Sequence, residues 1–220
     1  MGMIRLGVLV SGGGTNLQSI LDAIAAGRLD AEVRVVVSNK ADAGGLARAA
    51  NAKVPARFID HKAYPDRGAF DRALVETLRA HDVEWVVLAG FMRIVTDVFL
   101  EAFAMRTVNI HPSLLPAFPG KDAQKQALEH GVRVAGCTVH LVDRGTDTGP
   151  ILAQAAVPVL TGDDVDALRA RILVKEHELL PAVLQWIAEG RVTVAAPASP
   201  ASPEARARVR VRERDSPRGG

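Results

Sequence analysis

The chain has 220 residues, 48% hydrophobic, 24% charged and 4% aromatic, fractions that exclude fibrous and wholly disordered classes. Its formal charge of +2 is unevenly placed: of 27 basic and 25 acidic residues, six Arg and three acids lie in Ala195–Gly220, so the remaining 21 basic and 22 acidic residues leave a body of net −1. One cysteine, Cys137, excludes an intramolecular disulfide and a cysteine-based zinc site and points to a reducing compartment.

Ile4–Val10 is apolar, rich in β-branched residues and ends at glycines, as a buried strand does. Asn16–Ala26 places Leu17, Ile20, Leu21 and Ile24 at helical spacing, and Gly27 closes the helix. Val33–Val37 is a second strand, followed by a helix over Gly44–Ala52 and a strand over Ala56–Ile59. Pro65-Asp66 opens a helix to about Ala80; Trp85–Leu88 and Thr107–Ile110 are the fourth and fifth strands. Strands alternating with helices predict βαβ units and an open, mostly parallel, Rossmann-like sheet flanked by helices, an α/β fold. Beyond Gly131 two extended runs, Arg133–Val142 and Ile151–Val159, flank the polar loop Asp143–Gly149. A long helix follows over about Asp163–Glu189, with Thr161 or Asp163 as its cap and Pro181 expected to bend or end its first segment. We expect one domain over 1–194 and a disordered Pro/Ala/Arg-rich tail over 195–220.

The run Ser11-Gly12-Gly13-Gly14-Thr15-Asn16 lies between a strand and a helix start, where free amides and the helix dipole favour an anion such as phosphate. It lacks the Lys of a Walker A loop, and Leu17 stands where a dinucleotide fingerprint needs its third Gly. Asn109-Ile110-His111-Pro112 ends the fifth strand, the end at which open α/β sheets bind ligands. Residues 109 and 111 share a face, about 6.6 Å apart, so Asn109 and His111 can both donate to one oxyanion. Asp147, in a loop shaped by Gly145, Gly149 and Pro150, is either a turn-former or a carboxylate beside His111. In the second case it favours the imidazolium, and an upward shift of about one pKa unit, about 1.4 kcal/mol, keeps much of it charged at neutral pH.

Taken together, VLVSGGGTNLQSI (8–20), VVLAGFMRIV (86–95), VNIHPSLLPAFPGKDAQKQAL (108–128), GCTVHLVDRGTDTGPILAQAAVPV (136–159) and KEHELLP (175–181) resemble the phosphoribosylglycinamide formyltransferases. These folate-dependent enzymes of purine synthesis are also called glycinamide ribonucleotide transformylases. The resemblance spans about residues 3–194. It implies that Asn109, His111 and Asp147 are catalytic, with Asp147 sustaining a charged His111. It also implies that Gly14, Thr15 and Asn16 hold the substrate phosphate and that Glu176 contacts glycinamide ribonucleotide. Arg67, Met92, Arg93, Ile94, Val95, Asp143, Arg144, Gly145 and Thr146 match positions where the family binds its 10-formyltetrahydrofolate co-substrate. Gly13 replaces an Asn common in the family, and the Arg-rich tail is outside its pattern.

His140 and His177 are each read as a core histidine or as a positioning neighbour, of Asp147's loop and of Glu176 respectively. No His or Cys spacing matches a metal site, so no metal is expected. The partners expected are small-molecule substrates, with neither nucleic acid nor membrane, for a cytoplasmic monomer or homodimer. Competing readings are a methionyl-tRNA formyltransferase, which needs a further domain, and a formyltetrahydrofolate hydrolase. A phosphosugar-binding module leaves the Asn–His–Asp set unexplained. A nicotinamide oxidoreductase lacks its ribose-binding acid after the second strand, at Val37-Ser38-Asn39-Lys40.

Overall fold

The computed structural model describes residues 2–195 and 206–213. Its strands are β1 (Ile4–Val10), β2 (Ala31–Ser38), β3 (Ala56–Phe58), β4 (Trp85–Leu88), β5 (Thr107–His111), β6 (Val134–Leu141), β7 (Ile151–Pro158), β8 (Val192–Ala195) and β9 (Arg208–Val211). Its helices are α1 (Thr15–Ala25), α2 (Gly44–Asn51), α3 (Arg67–Ala80), α4 (Asp97–Ala102), α5 (Ala123–Glu129) and α6 (Val165–Ala188). Seven strands form one sheet in the order β3-β2-β1-β4-β5-β6-β7. The pairs from β3 to β5 are parallel, and β5-β6 and β6-β7 are antiparallel. β8 and β9 form a separate antiparallel pair.

Strand alternation divides the core between the two faces of this sheet. Leu6, Val8 and Val10 of β1 face one layer with Leu17 and Ile20 of α1 and Leu168, Ile172 and Leu180 of α6. Leu9 faces the other, with Phe70, Leu74 and Leu78 of α3 and Phe99 of α4. Burial on both faces is why these strands read as continuous apolar runs. On the α3 side Gly7 makes room for its neighbours, because a Cβ there would lie 2.4 Å from Leu78 Cδ2 and 3.0 Å from Val83 Cγ1, so those side chains would have to shift.

Three expectations change. The cap of α6 is Asp164, whose side chain accepts from the Ala167 amide; Asp163 instead pairs with Arg171 at 2.7 Å. Pro181 does not end that helix, which continues to Ala188. The buried Leu180, Val183 and Leu184 continue its packed face past the proline, which offsets the roughly 3 kcal/mol that an interior proline costs. The tail is not wholly disordered, because Arg208–Val211 pairs with Val192–Ala195 and the half-buried Val209 joins the α6-side core. Residues 196–205 and 214–220 lie outside the described residues. Among the described residues, no helix is long and apolar enough to cross a membrane.

Candidate active site

Three chemically promising segments follow β1, β4 and β5, neighbouring parallel strands whose carboxyl ends lie along one edge. Adjacent strands are about 4.8 Å apart, so the glycine loop after β1 and the Asn-Ile-His end of β5 are separated by about 10 Å. The chain order reverses beside β1, between β2 and β4, and such switch points open the crevice used by α/β proteins.

At the β5 end, Asp147 gathers four groups. Its Oδ2 accepts from the Gly120 amide at 2.8 Å and lies 3.4 Å from His111 Nδ1. Its Oδ1 lies 3.5 Å from Asn109 Nδ2 and 3.6 Å from His140 Nε2. His111 Nε2 is 2.9 Å from the Phe118 carbonyl and donates to it. With that nitrogen protonated, a proton on Nδ1 as well is what makes the contact with Asp147 favourable. His140 Nδ1 sits 2.9 Å from its neighbour's carbonyl, Leu141 O, and donates there. Its Nε2 lies 3.0 Å from Asn109 Nδ2.

Burial competes with these contacts. It is the largest influence on His111 and pushes its pKa below the ordinary value; the Phe118 carbonyl and Asp147 push upward, and His140 adds to the lowering. The upward shift expected for His111 is therefore corrected: the ring is 5% exposed, and lost hydration outweighs the neighbouring carboxylate. For Asp147 burial pushes up, yet the contacts from His140, the Gly120 amide and His111 bring it below the usual carboxylate range. The preceding loop is pinned from β6 and β7. Thr138 Oγ1 donates to Ser113 O at 2.7 Å and accepts from the Leu115 amide at 3.0 Å, and Gln154 Nε2 donates to Leu115 O at 2.9 Å.

At the β1 end, Gly14 has φ 71° and precedes α1, whose first amides have no side-chain cap. A Cβ on Gly14 would approach Gly45 Cα to 2.6 Å, so only glycine fits this crossing with α2. Asn16 Nδ2 donates to Glu176 Oε2 at 2.7 Å, which joins the phosphate-type loop to α6. Glu176 is buried, and that burial pushes its carboxyl pKa up. Among the described residues, Asn16 Oδ1 and His177 Nε2 are buried without a hydrogen-bond partner, open positions for a polar ligand. Arg48 adds a cation missed in the sequence: its Nε donates to Gly13 O at 2.8 Å, beside a cleft lined by Thr15, Gln18, Asp22, Arg28 and His177.

The formyl transferase family model matches residues 4–184. Phosphoribosylglycinamide formyltransferase of Escherichia coli (strain K12) is 45% identical over 185 residues, covering 84% of this chain and 87% of the relative. The chain belongs to the phosphoribosylglycinamide formyltransferase family. A crystal structure of glycinamide ribonucleotide transformylase 1 from Symbiobacterium toebii has a TM-score of 0.89 at 55% identity and covers 96% of this chain and 95% of that one. The Homo sapiens trifunctional purine biosynthetic protein adenosine-3 is 46% identical over 188 residues, but the chain spans only 19% of its length.

The positions expected to meet the folate co-substrate fall into separate settings. Met92 and Ile94 are 70% and 62% exposed, at the end of β4. The Met92 amide donates to Ser11 Oγ at 2.9 Å, which ties this segment to the glycine loop. Arg93 stacks over Phe70, 5.4 Å from the ring centroid, and Val95 packs in the α3-side core. Asp143 Oδ1 accepts from the Gly145 amide at 3.1 Å and from Thr148 Oγ1 at 2.6 Å. Arg144 pairs with Asp97 at 2.9 Å, Thr146 is exposed, and Arg67 opens α3, also exposed. Sequence reading left His140 undecided between core and site and missed Gly120 and Phe118. Antiparallel pairing puts His140 directly opposite Asn109, a register that no local pattern encodes.

Proposed function

We infer that this formyltransferase moves the formyl group of 10-formyltetrahydrofolate to the amine of glycinamide ribonucleotide, releasing tetrahydrofolate and formylglycinamide ribonucleotide. The carrying observation is the cluster of Asn109, His111 and Asp147 within 3.5 Å contacts, one strand-end crevice away from an uncapped helix start suited to phosphate. Gly14, Thr15 and Asn16 take the phosphate through main-chain amides, and Glu176, oriented by Asn16, takes the ribonucleotide. The exposed Met92 and Ile94 flank the pterin, while the main chain of residues 92–95 meets its polar edge; Arg67 and the 143–146 loop complete that side.

As the glycinamide nitrogen attacks the formyl carbon, Asn109 Nδ2 and charged His111 donate to the formyl oxygen, which replaces the Phe118 carbonyl as acceptor for Nε2. Asp147 opposes the burial that would discharge His111. The carbon–N10 bond then breaks, and the proton lost by the attacking amine goes to N10, through water. Both substrates are small molecules. The same reading makes the enzyme a cytoplasmic monomer or homodimer with no nucleic-acid or membrane partner, and with no metal.

A formyl-transfer assay with a 10-formylfolate donor, offering glycinamide ribonucleotide or charged initiator tRNA, tests this. The ribonucleotide is the expected acceptor, and His111→Ala lowers kcat about 10²–10³-fold, as loss of one oxyanion donor does. Transfer to tRNA, or formate release without an acceptor, would overturn the assignment.

A further inference from the structure

The segment Arg206–Glu213 lies beyond the region matched by the family model, and it returns to the active-site loop. β9 pairs along β8 from Ala195↔Arg208 to Val192↔Val211, and it packs against β7. The hairpin is closed at its far end, where the Arg212 amide donates to Arg191 O at 3.0 Å. Arg191 in turn stacks on Trp186 of α6, 5.7 Å from the ring centroid. This placement carries Arg206, two residues before β9, to the loop after β6. Its Nη2 donates to the Asp147 carbonyl at 2.7 Å and its Nη1 to the Gly149 carbonyl at 3.1 Å.

Elsewhere the main chain of this loop is tied at the Gly145 amide, which donates to Asp143 Oδ1 at 3.1 Å, and at the Pro150 carbonyl, which accepts from the Leu141 amide at 2.9 Å. Asp147 adopts φ 56°, a left-handed conformation that a non-glycine residue keeps only where its surroundings impose it. Gly149 is buried, and a Cβ there would lie 1.8 Å from Leu141 O, so the loop has one narrow path. Among the described residues, no other donor reaches either carbonyl. The side chain of Asp147 faces His111, Asn109, His140 and Gly120 in front, and Arg206 holds its main chain behind.

We propose that Arg206 is a positioning residue for formyl transfer, bridging the Asp147 and Gly149 carbonyls so that the Asp147 carboxylate stays aimed at His111. The C-terminal hairpin is thereby part of the catalytic apparatus. A planar guanidinium donates two hydrogen bonds in fixed geometry, which the single ammonium of lysine cannot reproduce. The proposal rests on the role assigned to Asp147 above.

The experiment uses the full chain and steady-state formyl transfer, with kcat, both KM values and Tm measured for Arg206→Ala, Arg206→Lys, Arg210→Ala and Asp147→Asn. Arg210 is the control, an exposed residue on β9 opposite Thr193. Displacing a reacting group by about 1 Å can cost about 10²-fold. Arg206→Ala is therefore expected to lower kcat about 10–100-fold, with KM for glycinamide ribonucleotide within about twofold and Tm nearly unchanged. Arg206→Lys should recover part of the loss, added methylguanidinium should restore part of the Arg206→Ala turnover, and Arg210→Ala should match the parent chain. If Asp147→Asn collapses turnover while Arg206→Ala stays within about twofold of the parent, the positioning role is refuted and the site reading stands. A fall in kcat that only tracks loss of folded protein, with no recovery by lysine or methylguanidinium, also refutes it. Full activity in Asp147→Asn would overturn the site reading, and this proposal with it.

Discussion

Replacing Asp147 by Asn removes a charge while preserving shape, and so isolates the electrostatic part of the site. The carboxylate lies 3.4 Å from His111 Nδ1, and the two side chains are 12% and 6% exposed. At that distance, with an effective dielectric constant of about 20, attraction to an imidazolium is about 5 kcal/mol. Burial outweighs this attraction in the resting site, so the His111 pKa is lowered, and the variant keeps the burial penalty without the attraction. Loss of about 3 kcal/mol of it in the transition state lowers kcat at pH 7 about 100-fold, at roughly 1.4 kcal/mol per decade. The Gly120 amide keeps an oxygen acceptor, and the phosphate-type loop lies two strands away, so KM for glycinamide ribonucleotide stays within about twofold. The pH profile supplies the sign. Asp147 raises the His111 pKa against burial, so its loss lowers that pKa further and moves the alkaline limb of kcat to lower pH. Initial rates from pH 5.5 to 9 at saturating substrates measure both effects. Turnover within about threefold of the parent at pH 7, with the alkaline limb unmoved, would refute the electrostatic reasoning.

Glu176→Gln should separate binding from stability. Burial raises the Glu176 pKa, so the folded state is penalised at pH values where the carboxyl is charged, and the penalty fades as pH falls through the folded pKa toward 4.5. The variant is expected to melt higher than the parent at pH 8, to converge with it near pH 4, and to show a raised KM for glycinamide ribonucleotide; equal melting at pH 8 would contradict this. Gly149→Ala puts a Cβ 1.8 Å from Leu141 O, a clash with main chain that no rotamer relieves. At about 1–3 kcal/mol or more for overpacking, Tm should fall by about 5 °C with loss of turnover, and an unchanged scanning-calorimetry midpoint would contradict it. Thr138→Val strands the Ser113 carbonyl and the Leu115 amide, and urea unfolding should register a loss of about 1–3 kcal/mol.

The parallel half of the sheet was legible residue by residue. Strands such as Ile4–Val10 and Trp85–Leu88 are buried on both faces, so their apolar runs are continuous and end at turn signals. The short helices α4 and α5, of six and seven residues, went unseen because fewer than two turns carry no measurable period. In the tail, composition obscured a correct local signal: Arg208-Val209-Arg210-Val211 alternates with period two, and it forms β9 on β8.

The sequence by itself determined the α/β class, the glycine loop before α1, and the set Asn109, His111 and Asp147 together with the family resemblance. The first two are written in local spacing; the third came from the resemblance, because a strand-end Asn-x-His and a loop Asp each suit a structural role as well. Tertiary structure decided the rest. It put His140 opposite Asn109 through antiparallel register, joined Asn16 to Glu176 across 160 positions, and carried Arg206 to the back of Asp147. It also turned the expected rise in the His111 pKa into a fall, because a charge answers to the water removed around it as well as to its nearest partner. Burial and register depend on which strands become neighbours, and that is fixed only when the whole chain packs.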